Sequence, residues 1–184
     1  DLVVANLIHP DWRGFYSSNE SAVFWNQGSL KFKRSTFGSL GISFEETISD
    51  PTIADFDNDG SLDLFHNSWY HSANLYVGLR GRFQDRTGPS GIAAAQALAS
   101  AACDFDRDGR MDLIVADHSA GFRLYRNISE SRPWIELRLV GSDCNRHAVG
   151  AMVSLEDPSS RPTRVLCSGR GAGNQDSFIL HFGL

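Results

Sequence analysis

Two nonapeptides concentrate the acidic side chains of this chain. Asp55-Phe56-Asp57-Asn58-Asp59-Gly60-Ser61-Leu62-Asp63 places carboxylates at loop positions one, three, five and nine. Asp104-Phe105-Asp106-Arg107-Asp108-Gly109-Arg110-Met111-Asp112 repeats that spacing without a gap, and the two together hold eight of the 22 Asp and Glu residues. Four carboxylates in nine residues repel one another unless a cation neutralises them, and an all-oxygen donor set suits a hard ion. Calcium accepts six to eight oxygens in a flexible geometry, whereas magnesium demands a tighter octahedron and retains its waters. Glycine at position six permits the sharp turn, and position seven, Ser61 or Arg110, would add a backbone carbonyl. The expected ligands of two calcium ions are therefore Asp55, Asp57, Asp59, Ser61 and Asp63, and Asp104, Asp106, Asp108, Arg110 and Asp112.

An EF-hand is excluded by spacing, because position twelve must supply a bidentate Glu and a helix must follow. Here position twelve is His66 or Val115. The residues after the ninth-position Asp, Leu64-Phe65 and Leu113-Ile114-Val115-Ala116, read as short buried strands.

The loops belong to a longer repeat. Asp55 to Asp104 is a step of 49 residues, and Asp63 to Tyr76 and Asp112 to Tyr125 are both 13. Tyr76 to Phe83 is 7, as is Trp25 to Phe32, and each copy continues to a Gly-Ile pair, Gly41-Ile42 or Gly91-Ile92. Asp1-Leu2-Val3-Val4-Ala5-Asn6 matches Asp112 to Asp117, which makes Asp1 the ninth residue of a further loop. Ala93 to Ala102 has helical propensity, but its place before a loop predicts extended chain with small residues near a crowded axis. A period near 50 built of short strands and glycine turns is the signature of propeller blades. About 130 residues hold fewer than three such units, so the chain is read as a fragment or as completing its ring with other material, the missing blades of a parent chain. In the first unit, Asp1 to Trp25 is 24 residues where the others have 13, an insertion of about 11. This aromatic segment, with Trp12, Phe15 and Tyr16, could stack on a sugar, grip a protein or pack on a neighbouring blade.

The two Asp-rich nonapeptides, each leading into a short strand, resemble the FG-GAP/VCBS repeats of integrin-like β-propellers over residues 1 to about 130. The resemblance implies calcium at the loop positions named above.

From Pro133 the repeat stops. Ile135, Leu137 and Leu139 alternate with Glu136 and Arg138, a strand with one buried face. Ala151, Val153 and Leu155 form another, and Phe178-Ile179-Leu180 a third. Pro133 to Leu137, the Asn145-Arg146 to Gly150-Ala151 element, Gly169 to Gln175 and the terminal His181-Phe182-Gly183-Leu184 are similar to the ASPIC/UnbV domain, with Asn174-Gln175 where Ser-Gln is expected. In the cartilage acidic protein family that domain follows VCBS-type repeats, which implies a division at residues 1–130 and 131–184. The expected fold class is all-β: a partial propeller of two to three blades plus a small β-rich domain.

Composition sets the outer bounds. The 184 residues carry a net charge of −5, which disfavours binding to nucleic acid, and no apolar run reaches the roughly 18 residues of a membrane helix. Opening at Asp1 without a leader reads as a mature or truncated chain. Of three cysteines, Cys144 and Cys167 flank neighbouring strands, where they could pair or remain free thiols beside Cys103. Asn19-Glu20-Ser21 and Asn127-Ile128-Ser129 are glycosylation sequons if the source has a secretory pathway. Gly169 to Gly173 is not a phosphate loop, because a strand follows it rather than a helix. No zinc spacing and no nucleophile elbow is present. The function expected is a calcium-binding, noncatalytic, extracellular interaction or adhesion module. Its alternatives are a carbohydrate-binding module using the aromatic insertion, or a hydrolase with propeller-bound calcium as Lewis acid.

Overall fold

A computed structural model describes residues 2–4, 21–43, 51–68, 72–92, 96–143, 145–156, 161–169 and 174–184. The chain is nearly all β. Three antiparallel meanders follow one another: β1 (Leu2–Val4), β2 (Ala22–Asn26) and β3 (Phe32–Thr36); then β4 (Thr52–Ala54), β5 (Asp63–His66), β6 (Asn74–Leu79) and β7 (Arg82–Asp85); then β8 (Ala97–Cys103), β9 (Asp112–Asp117) and β10 (Gly121–Tyr125). Four further strands, β11 (Trp134–Arg138), β12 (Met152–Ser154), β13 (Thr163–Val165) and β14 (Ile179–Gly183), pair as β11–β14 and β12–β13. Among the described residues no helix is long and apolar enough to cross a membrane.

The meanders stack as propeller blades do, because each strand alternates its side chains between two sheet faces. Between the first and second sheets lie Val23, Phe37, Leu40, Ile42, Leu64 and Tyr76. Between the second and third lie Ala54, Phe65, Ala73, Leu75, Ala97, Ala102, Leu113 and Val115. The second sheet is thus covered on both faces, Leu64 and Tyr76 on one and Phe65 and Leu75 on the other. Carried forward by 49 residues, Phe65, Ala73 and Leu75 become Ile114, Phe122 and Leu124. On the second sheet those positions are 0%, 0% and 8% exposed, whereas on the outer face of the third they are 37%, 82% and 54% exposed. Extended chain at Ala97–Cys103 agrees with the sequence reading over those residues, and small side chains admit the close approach of β4 and β8.

The Gly-Ile pairs acquire a structural meaning. After β3 and β7 the chain makes one helical turn, a 3₁₀ turn at Gly38–Leu40 and an α turn, α1, at Thr87–Ser90. Gly41 and Gly91 end these turns at φ 89° and 71°, a region open to glycine at no steric cost. The next residue then enters the core, Ile42 in the first interface and Ile92 in the second.

One sequence alignment needs correction. The seven-residue spacing equates Trp25 with Tyr76, but Phe24 lies across from Leu2 as Tyr76 lies across from Leu64. The structural equivalent of Tyr76 is Phe24. The slip of one residue is taken up in the hairpin, which spans Gln27–Lys31 in the first sheet and the shorter Leu79–Arg82 in the second. Trp12, Phe15, Tyr16, Asn19 and Cys144 lie outside the described residues. Cys103 and Cys167 are free thiols, and Cys167 is exposed.

The last four strands enclose their own core of Leu166, Leu180 and Phe182, against which Leu137, Leu139, Val153 and Phe178 pack. Three of these strands fall where the sequence alternation puts them. β13 was not expected, because Thr-Arg-Val is too short and too polar to signal a strand.

Candidate metal centres

Both Asp-rich loops fold alike, and shared hydrogen bonds within each loop explain why. Position-one Asp accepts two backbone N–H groups. Asp55 takes those of Asp59 and Gly60 at 3.1 and 2.9 Å, and Asp104 takes those of Asp108 and Gly109 at 3.1 and 2.7 Å. Position five accepts from position seven, Ser61 N–H to Asp59 at 2.7 Å and Arg110 N–H to Asp108 at 3.0 Å. Position nine closes the loop, Asp63 holding the N–H groups of Phe56 and Gly78 and Asp112 those of Phe105 and Asn127. Two turns of left-handed backbone make this possible, Asn58 and Gly60 at φ 55° and 85°, Arg107 and Gly109 at 61° and 84°. Position six is the glycine the sequence demanded. Position four tolerates Asn readily and Arg at some cost.

The consequence is convergence. Asp55, Asp57 and Asp59 bring carboxylate oxygens within 4.8 Å of one another, as do Asp104, Asp106 and Asp108. Such a set can hold a hard divalent cation. Asp63 and Asp112 stand outside these trios, each with both oxygens on backbone N–H groups. A carboxylate oxygen carries two lone pairs, so capacity for an ion remains.

Electrostatics shows the cost of collecting these groups. Burial pushes the Asp63 carboxyl up to about 8, against the lowering effect of the Gly78 and Phe56 N–H groups. Asp55 is raised to about 6, again by burial, with Gly60 N–H and Arg164 opposing. Burial and the neighbouring Asp59 charge raise Asp57, and burial raises Asp112. A cation in the loop would relieve what a proton otherwise must.

The loops differ in the cations already beside them. Arg126 pairs with Asp106 at 2.7 Å and Asp108 at 3.3 Å, and Arg110 also pairs with Asp108. Burial acts to raise the Asp108 carboxyl, but the Arg110 N–H and the two guanidinium groups outweigh it and hold it below the usual range. The first loop has a longer pair, Arg132 to Asp57 at 3.6 Å. An ion entering the second loop would therefore compete with guanidinium groups already in place. Arg126→Gln should tighten calcium binding at that loop about two- to fivefold, the range for an exposed ion pair, with the first loop unchanged by calorimetric titration. Equal affinity in the variant would mean that the guanidinium does not compete.

Several residues of the site carry no ligand-type signal in the sequence. The Asn58 side chain donates to the Gly109 carbonyl at 2.8 Å, joining one loop to the other. Asn127 donates from Nδ2 to the carbonyls of Phe56 at 2.7 Å and Met111 at 2.9 Å. That nitrogen is where a glycan would attach at the sequon, and in the folded chain it bridges the two loops. The C-terminal strands reach the loops as well. Gly183 N–H donates to Asp55 Oδ2 at 3.1 Å, and His181 Nε2 lies 3.1 Å from the Gly109 carbonyl. Trp134 stacks on His181 with ring centroids 6.2 Å apart, and its indole lies against Gly109 so closely that a Cβ there would collide with it.

No curated protein matches the chain. The FG-GAP-like repeat family model matches residues 1–66, which span the first sheet, the first Asp-rich loop and β5. This part of the chain is therefore similar to FG-GAP-like repeats, in keeping with a partial all-β propeller.

Proposed function

We propose that each Asp-rich loop holds one calcium ion and that the chain is a noncatalytic, calcium-stabilised interaction module working outside the cytoplasm. The observation that carries this is the repeated backbone scaffold, which twice turns the carboxylates of positions one, three and five onto one centre. Asp55, Asp57, Asp59 and Asp63 would supply side-chain oxygens to the first ion and Ser61 its carbonyl. Asp104, Asp106, Asp108, Asp112 and the Arg110 carbonyl would serve the second. The ion contributes charge neutralisation and fixed geometry to a turn between strands. The protein's own part is to hold those oxygens through backbone N–H groups and to pass order into β5 and β9 through Asp63 and Asp112. Extracellular calcium modules bind with dissociation constants around 10⁻⁴ to 10⁻³ M, so such loops would fill outside a cell and stay largely empty in cytosol. In this reading residues 1–130 are propeller blades and residues 131–184 an ASPIC/UnbV-like β domain, with adhesion to a protein or glycan partner as the role.

Calorimetric titration tests it. Two equivalents of calcium should bind, with magnesium weaker at both loops. No heat at millimolar calcium would overturn the metal assignment, leaving the loops as hydrogen-bonded turns.

A further inference from the structure

The two loops are the floor on which the C-terminal strands stand. Gly183 in β14 donates its N–H to Asp55, the first residue of the first loop, and sits so close that an added Cβ would overlap Asp55 Oδ2 and come within 2.5 Å of the Asn58 backbone. Trp134 in β11 lies against Gly109, the sixth residue of the second loop, and His181 in β14 engages the Gly109 carbonyl. Asn58 joins the same carbonyl from the other loop, so both loops and both strands meet at one point. Asp176 adds a bond to the Ala102 N–H at 3.1 Å, on the strand that leads into the second loop.

We infer that this contact is an ion-dependent interface: calcium in the loops fixes the surface on which β11 and β14 dock, and docking in turn raises calcium affinity at the first loop. This rests on the loops binding calcium. Without an ion the converging carboxylates of each loop repel and the loop relaxes, which moves Asp55 away from Gly183 and Gly109 away from Trp134. With an ion the Asp55 side chain is held in place, so that its Oδ2 stays within reach of the Gly183 N–H. Linkage requires the effect to be mutual, so weakening the docking weakens the ion by the same factor.

Hydrogen exchange on the whole chain, in millimolar calcium and in excess chelator, tests this. Chelation should speed exchange at Trp134–Arg138 and Ile179–Gly183 by roughly tenfold or more while the amides of β5 and β6 stay protected. Gly183→Ala should give the fast exchange even in calcium and lower the first loop's affinity by roughly the same factor, the second loop changing less. Trp134→Ala removes packing without a clash, and should loosen the same strands in a chain that still melts cooperatively. Two bound ions with exchange at Ile179–Gly183 indifferent to chelator would overturn the coupling and leave calcium binding intact. No bound ion would overturn both. Gly183→Ala with wild-type calcium affinity at both loops would also overturn the coupling.

Discussion

Calcium at about 100 times its dissociation constant, on the order of tens of millimolar, should raise the melting temperature by about 10–20 °C over that in excess chelator. Each site at 100 times its dissociation constant adds about 2.7 kcal/mol, and in a chain of this size 1 kcal/mol moves the midpoint by roughly 2–4 °C. Asp57→Asn should remove about half of the shift. Asp57 is the suitable position because its one backbone bond, from the Asp59 N–H at 3.2 Å, is exposed, so the chelated melt should stay within about a degree or two of wild type. The chelated protein should also respond to pH in an unusual direction. Asp55 and Asp63 have folded values raised by burial to about 6 and about 8, above their ordinary value of 3.8. The folded chain therefore holds more protons than the unfolded one across that window. Stability is fully present below the unfolded value and is lost as pH rises through about 6 and then about 8. Calcium should cancel that loss, because it replaces the departing protons. Coincident melts with and without chelator, or a chelated protein that gains stability from pH 5 to 8, would contradict this account.

The second large effect concerns two positions related by the repeat. Phe65→Ala should cost about 3–5 kcal/mol by denaturant unfolding, because its ring is fully buried between the second and third sheets and would leave a cavity. Ile114→Ala, at the equivalent position one unit later, should cost about 1 kcal/mol or less, since 37% of that side chain is already in solvent on an uncovered face. The contrast separates the role of a position in the repeat from the role of its neighbours. A cost at Ile114 equal to that at Phe65 would show that the outer face is covered in solution.

Much of this was legible from residue spacing. Carboxylates at positions one, three, five and nine with glycine at six leave few ways for a turn to close, and the ninth residue begins a strand in both copies, as expected. The strands themselves announced their faces by alternation at Ile135, Leu137 and Leu139. What stayed hidden depends on distance in the sequence. Gly183 meets Asp55 across 128 residues, and nothing local marks a glycine as the one that fits under a loop. Asn127 has a second role that its sequon does not reveal, because the same amide bridges two carbonyls. Arg126 carries no ligand-type signal in the sequence, although its guanidinium lies beside Asp106 and Asp108, where it would compete with an ion. The equation of Trp25 with Tyr76 failed for a simpler reason, since spacing within one hairpin is blind to a residue gained in its turn.

The covering of the middle sheet on both faces bears on the order in which the structure comes apart in time. In a stack where each unit touches only its neighbours, the terminal units have one interface to lose and the inner unit has two. The second sheet is the inner unit of the three described, and the third has the bare face of Ile114, Phe122 and Leu124. Fluctuations should therefore begin at β10 and reach β5 and β6 last, so that among the described residues the slowest amides are those of Leu64, Phe65 and Tyr76.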